Sequence, residues 1–351
     1  MQNLSLVQIA LAVLGIGFLI AFHELGHYAA ARLLGMRVLR YSLGFGPRLF
    51  GFRHQDIEYQ LAALPFGGFV QIAGMSSLDE EAKDDPQSYL NQARWKRWLV
   101  LAAGPGFNYF AAVALFFVFF TGWPSPVAGP SIELIEVMPD GAGQAAGLQR
   151  GEFITAINGA TVDGEGAFRA AIVGSAGAPI TMTVLNTGGD TDVSRDVVVT
   201  PIAVDGGFKL GVAPQTRFAS AGVGNTMLAA LNTTWSTSVG TLRAIKGLIL
   251  REPGVDVGGP LAIVASMKDQ IAHGMRFYIH ILATLSVSLG LFNLLPVPSL
   301  DGIKMLWLTV EGVFRRNINM KLQDIINAVG AIALMLLMAV LFVRDGIRLV
   351  G

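Results

Sequence analysis

Four stretches of the chain carry no charged side chain: Met1–Phe22, Leu99–Gly122, Phe277–Leu300 (His280 taken as neutral) and Ile325–Val343. Each is close to the roughly 17–25 apolar residues that a helix needs to cross a hydrocarbon core. None keeps the polar face expected of a soluble core helix of that length. The pattern predicts a polytopic α-helical membrane protein with four transmembrane helices, at residues 1–34, 97–122, 276–296 and 325–344. The first has no basic stretch before it, and helix-compatible sequence runs on through Arg32, unlike a cleaved leader. Between the second and third spans the period changes to that of strands. Ser131–Val137, Phe153–Ile157, Ile180–Leu185 and Val197–Val204 alternate, parted by turns at Pro139–Gly141, Asn158-Gly159 and Gly188-Gly189-Asp190, with a short helix at Phe168–Val173. Val223–Leu250 is apolar with Thr, Ser, Asn, Arg243 and Lys246 interspersed, which predicts an amphipathic helix on a membrane surface within a linker at 216–275. Ahead of the second span, Glu58-Tyr59-Gln60-Leu61 alternates and runs into a Pro65-Phe66-Gly67-Gly68 turn. This predicts a β-loop at 55–75 that dips into the membrane; a plain cytoplasmic hairpin fits the same residues.

Composition narrows the class. Of 351 residues, 52% are hydrophobic and 14% charged, and 25 basic residues balance 25 acidic ones. No net charge draws such a chain onto nucleic acid, and too little charge is present for a disordered regulator. With no cysteine there is no disulfide, thiolate metal site or cysteine nucleophile, so any metal falls to carboxylates and the five histidines. Lys and Arg also orient the spans. The loop at 23–98 carries Arg32, Arg37, Arg40, Arg48, Arg53, Lys83, Arg94, Lys96 and Arg97, and the loop after span three carries Lys304, Arg315, Arg316 and Lys321. Both lie on one face of a four-span protein, which the positive-inside rule makes cytoplasmic; the termini and the β-rich insert then face outward. Trp95, Trp98 and Trp123 fall at the ends of span two, as interfacial aromatics do.

The chemistry sits at the end of the first span, in His23-Glu24-Leu25-Gly26-His27. Histidines at i and i+4 share a helical face, so both imidazoles reach one zinc ion, and Glu24 stands beside them as a general base. Plain interfacial polarity is the competing account, but ionisable groups so near hydrocarbon are costly and mostly functional. A hydrolytic zinc normally has three protein ligands. Asp301 is the best third, because spans one and three run the same way and bring it to the face that holds His23 and His27. It follows Asn293-Leu294-Leu295-Pro296-Val297-Pro298, where two prolines break the helix at a depth that only protein or a polar cavity tolerates. His54, His273 and His280 fall at interfacial or solvated positions.

Two patterns together, His-Glu-x-x-His at His23–His27 and Asn-x-x-Pro-x-Pro-x-x-Asp-Gly at Asn293–Gly302, closely resemble the site-2 proteases, the intramembrane zinc metalloproteases, of the bacterial regulator-of-sigma-E type. Leu64–Val70, Gly104-Pro105-Gly106-Phe107-Asn108 and Gly258-Gly259-Pro260 extend the resemblance over nearly the whole chain. Ala146–Gly159 resembles the signature of a circularly permuted PDZ domain, covering residues 128–215. Many members of that family carry a second glycine after Asp-Gly where Ile303 follows here, and the best-known long members carry two PDZ domains where this chain has room for one.

The resemblance implies one zinc ion on His23, His27 and Asp301, with Glu24 as the general base. It implies a substrate path involving Asn293, Pro296, Pro298, Gly67, Gly68, Phe69 and Asn108, where the edge of the β-loop holds an unwound substrate strand. For Asn293, contact with the substrate backbone or oxyanion competes with capping the broken helix. For Asn108, lining the cavity competes with packing beside Gly104 and Gly106. The expected activity is cleavage of transmembrane segments of single-pass proteins, such as a pre-trimmed anti-sigma factor, in the bacterial inner membrane. The expected partners are those substrates, the bilayer, and a peptide or chain end at the PDZ domain, with no nucleic acid. A catalytically silent adaptor presenting the PDZ domain is the alternative; the intact His23, Glu24, His27 and Asp301 speak against it. A prenyl-protein-processing protease shares His-Glu-x-x-His but not the prolines, Asp301-Gly302 or the insert.

Overall fold

The computed structural model describes residues 6–76, 79, 82, 84–123, 130–162, 164–186, 193–204, 207–218, 222–250 and 258–350. The Gly188-Gly189-Asp190 turn and Lys83 lie outside them. In chain order the elements are α1 (Leu6–Leu33), β1 (Val38–His54), β2 (Ile57–Ile72), α2 (Arg94–Gly122), β3 (Pro130–Val137), α3 (Ala142–Ala145), β4 (Phe153–Ile157), β5 (Ala160–Thr161) and α4 (Glu165–Gly174). There follow β6 (Ile180–Asn186), β7 (Val193–Val199), β8 (Ile202–Val204), β9 (Gly207–Lys209), β10 (Val212–Phe218), α5 (Gly222–Ile249), α6 (Pro260–Ala272), α7 (Met275–Leu294), α8 (Asp301–Phe314) and α9 (Met320–Val350). The chain divides into two compact units: Met1–Phe116 with Thr233–Ile245 and Asp256–Gly351, and Phe117–Asn232 with Lys246–Val255.

Helices α1, α2, α7 and α9 are long and apolar enough to cross a membrane, with mean hydropathies of 2.3, 1.7, 1.6 and 2.6 over their best windows. In α9 only 6% of that window is buried, which leaves its apolar surface for lipid. Helices α1 and α7 meet around Ala12, Leu19, Tyr278 and Leu282. Gly15 lets them approach: a Cβ there would lie 2.5 Å from the Tyr278 hydroxyl, which donates to the Leu11 carbonyl at 2.7 Å. Helix α6, at 13 residues, is about 20 Å long and too short to cross. It falls inside the stretch expected to be linker and packs against α1, α7 and α9. Its start is legible in Gly258-Gly259-Pro260, since proline favours the first helical turn. The buried Asp345 carboxylate of α9 caps that turn, accepting from Gly259 N at 3.3 Å and Ala262 N at 3.0 Å.

The β-loop is larger than expected and turns elsewhere. Residues 38–54, ahead of the expected β-loop at 55–75, form a strand, and the reversal falls at Gln55-Asp56, both at positive φ. The Pro65-Phe66-Gly67-Gly68 segment lies within β2, in a ladder with repeated register shifts. Arg40–Leu43 faces Glu58–Leu61 on one side and Gly68–Gln71 on the other, while Phe50–Arg53 pairs with Glu58–Leu61 from outside. Glu58 binds Arg40 and Arg48 at 2.9 Å each, and these guanidiniums hold its carboxyl below the usual range. Tyrosines fasten the sheet to α1: Tyr41 donates to the Ala21 carbonyl at 2.8 Å, and the Tyr28 and Tyr59 hydroxyls meet at 2.8 Å.

The loop expected after span three is mostly α8, an amphipathic helix. Its Glu311 makes a buried ion pair with Arg97 of α2 at 3.4 Å and accepts from Ile318 N at 3.0 Å. Glu311→Ala would strand a buried guanidinium, at a cost of about 3–5 kcal/mol. Denaturation in detergent should show that loss, and an Arg97→Met, Glu311→Leu double variant should recover much of it.

The second unit holds an antiparallel sheet in the order β10-β3-β4-β6-β7, with β5 beside β4. Ile132, Leu134, Ile154, Met182 and Val184 point from it onto Phe168 and Ile172 of α4. The strand expected over Val197–Val204 is broken, because Pro201 cannot donate to a ladder and separates β7 from β8. Edge strand β10 was not anticipated, since Pro214 interrupts its pattern. Buried Glu152 accepts from Arg195 at 2.8 Å.

Candidate metal centre and active site

The His-Glu-x-x-His segment lies near the end of a continuous helix that runs to Leu33, where i and i+4 spacing stacks His23 and His27. Both are buried, with relative exposures of 7% and 8%. Asp301 reaches them from the first turn of α8. Here sequence dictates shape at two points. Gly302 has to be glycine, because a Cβ would run into the Leu294 and Leu295 carbonyls at the end of α7. Ser299 turns the chain at φ 78 and is gripped by Asn327 of α9, whose Oδ1 accepts from Ser299 N at 3.2 Å and whose carbonyl accepts from Ser299 Oγ at 2.8 Å. Gly330 of the same helix leaves room for Pro298. Thus α9 seats the proline loop that carries Asp301. Asn327 carried no sequence signal beyond being polar within an apolar span.

Three donor atoms converge. His23 Nε2 and His27 Nε2 are 3.2 Å apart, and Asp301 Oδ2 lies 3.2 Å from the first and 3.1 Å from the second. A tetrahedral zinc with bonds of 2.0–2.1 Å spaces its donors by about 3.3 Å. Two neutral imidazoles and a carboxylate are also a suitable donor set for zinc, so the residues fit the ion. His27 is oriented for this role, because its Nδ1–H donates to the Val100 carbonyl at 2.8 Å and leaves Nε2 bare. Helix α2 lies very close here: a Cβ on Gly26 would meet the Ala103 carbonyl, and one on Gly104 would meet the His27 ring.

Glu24 projects from the same turn toward β2, where a Cβ on Gly68 would lie 3.0 Å from its Cγ and 2.8 Å from the Ser42 carbonyl. No described residue hydrogen-bonds its carboxylate, which leaves it free for a water or a leaving amine. Gly67, at φ 106, leaves room for Phe45, which stacks on Phe69 with ring centroids 6.2 Å apart. Thus Gly67, Gly68 and Phe69 stand beside the turn that carries Glu24. Pro296 is exposed and Asn293 half-buried, with its Nδ2 tied back to the Leu289 carbonyl at 2.9 Å. In this structure that side chain bonds back onto its own helix. The expected cavity-lining role does not suit Asn108: it is 0% exposed, behind His23, with its side-chain amide 2.9 Å from Nδ1. Ile303 continues α8 without disturbing the loop.

A His-His-Asp donor set and an open glutamate, carried by helices that can cross a membrane, define a membrane zinc metalloprotease. The family model for peptidase family M50 matches residues 11–337, so the chain belongs to that family, the site-2 proteases. Proteins bearing the name "putative zinc metalloprotease" are similar along almost their whole length. One from Clostridium perfringens is 29% identical over 341 residues, covering 97% of this chain and 98% of that protein. One from Rhizobium meliloti is 32% identical over 347 residues, covering 91% of each chain. One from Mesorhizobium japonicum is 29% identical over 349 residues, covering 92% of this chain and 94% of that protein.

Proposed function

We propose that this metalloprotease is an intramembrane endopeptidase that cuts transmembrane segments of single-pass proteins in a bacterial inner membrane. The observation that carries this reading is the placement of the donor atoms. Two come from within α1, an apolar helix of 28 residues, and the third from the loop that ends α7. A scissile bond must therefore enter among apolar helices to reach them. His23, His27 and Asp301 would hold the zinc, which when bound would supply Lewis acidity toward water and a peptide carbonyl. Glu24 takes the proton of the attacking water and hands it to the leaving amine. A helical substrate must first unwind, because its carbonyls are bonded internally. The irregular β1–β2 ladder beside Glu24 offers backbone with which an unwound strand can pair.

The outer unit, with α4 beside edge strand β10, suits a permuted PDZ domain that filters substrates by bulk. Strand addition along β10 is poorly supported. Thr216 N–H is taken by the Glu165 carboxylate at 3.3 Å, and two residues earlier, on the same edge, Pro214 has no N–H. Anti-sigma factors already trimmed outside fit such a filter, as in regulated intramembrane proteolysis, with the β-rich unit and both termini outside.

The test is proteolysis of a synthetic single-span protein in vesicles, presented with a bulky or a trimmed outer domain, with product masses locating the cut. The expected result is a cut inside the hydrophobic segment of the trimmed form. Cuts confined to flanking soluble sequence would overturn the reading.

A further inference from the structure

The two histidine ligands are oriented differently. The Nδ1 of His27 meets a main-chain carbonyl, whereas that of His23 meets the side chain of Asn108, 85 residues away. That amide is fully buried. As drawn, its nitrogen faces the His23 ring at 2.9 Å, and its oxygen is left without a hydrogen-bond partner. His23 decides which way the amide must point. Its Nε2 lies 3.2 Å from both His27 Nε2 and Asp301 Oδ2, so this nitrogen has to offer its lone pair to a metal. A neutral imidazole then carries its proton on Nδ1. An N–H cannot face an NH2 group at 2.9 Å, but it can face an amide oxygen. The two amide ends are exchanged by a half-turn about the last side-chain bond, so the hydrogen-bond chemistry decides which end faces the ring. Exchanging them places the oxygen on Nδ1 and removes the unpartnered acceptor.

The seat of Asn108 is built from α7. Ser286, itself 0% exposed, donates its hydroxyl to the Asn108 carbonyl at 2.8 Å. One turn on, Gly290 leaves the space: a Cβ there would lie 3.2 Å from Asn108 Cβ and 3.1 Å from Tyr109. The residue is thus held at its backbone and closely packed, with one functional end, and that end is on a ligand.

We propose that Asn108 is a positioning residue: its amide oxygen accepts Nδ1–H of His23 and so fixes the tautomer and ring orientation that present Nε2 to the metal. This rests on the zinc reading of the site, but its readout is metal affinity rather than proteolysis, so it can fail while the activity stands.

The experiment uses the full chain in detergent, stripped of metal and titrated with zinc against a chromophoric chelator. Asn108→Leu keeps the volume without an acceptor, and should bind zinc about 10–100-fold more weakly. Asn108→Asp supplies a stronger acceptor in the same place and should bind at least as tightly as wild type. Cobalt-loaded protein gives a second view: the visible bands should shift in Asn108→Leu and stay in Asn108→Asp. Thermal unfolding in chelator should be alike for both variants, since the argued role is felt only through the ligand. If Asn108→Leu does not fold, Asn108→Ala takes its place. Wild-type affinity in the Leu or Ala variant would overturn the proposal, as would equal weakening in Asn108→Asp.

Discussion

A Glu24→Gln protein should bind zinc normally, remain folded and lose about 10²–10⁴-fold in turnover, the usual contribution of a positioned general base. Glutamine keeps the volume and a hydrogen-bonding end but cannot take a proton from water at neutral pH. Because Glu24 lies outside the converging donors, metal content should not change. The loss should fall on kcat, since substrate still meets the same ladder and cavity. Metal analysis beside steady-state cleavage of one substrate decides the matter. Equal turnover in the two proteins would remove Glu24 from the mechanism, and loss of zinc would make it a ligand.

Gly104→Ala, one methyl group on a helix that should welcome alanine, is expected to weaken zinc binding severely. Alanine is the better helix former by about 1 kcal/mol. In α2, however, a Cβ at this position would be driven onto Nε2, Cε1 and Cδ2 of His27. The ring cannot step aside, because its Nδ1 is held on the Val100 carbonyl. Either the ring or the helix shifts, and an error near 1 Å is large beside a metal bond of about 2 Å. Zinc affinity should fall by about 100-fold or more, beyond the usual effect of an outer hydrogen-bonding partner. Gly106→Ala is the control, since nothing lies within 4 Å of a Cβ there. A chelator competition with both variants checks this, and matching affinities would mean that α1 and α2 separate more readily than their packing implies.

How much of this was visible in the bare sequence depends on the distance over which each feature is decided. The four long apolar helices are local facts, written in twenty-residue gaps between charges. The stacking of His23 and His27 is local too, because helical spacing alone produces it. Asp301 was reached across 274 residues only because topology brings its loop to their face. What escaped depends on contacts between remote segments. Residues 38–54 look irregular because their strand is bent, and its partners lie on two sides of it. Helix α6 is short and stable through burial against three others, and α8 reads as a charged loop until Arg97 is seen to meet Glu311. Asn108 looked like a packing or cavity residue. Its hydrogen bond to His23 depends on the packing of α1 against α2, which no local pattern records.

The grip of α9 on the Asp301 loop has a bearing on how the enzyme is made. His23 and His27 lie on α1, whereas the loop that carries Asp301 is held in part by Asn327 and Gly330 of α9, far later in the chain. A growing polypeptide that has inserted α1, α2 and α7 but not α9 would thus hold the pair of histidines without these contacts on the aspartate loop. An ordered third ligand is therefore expected once α9 has packed against that loop.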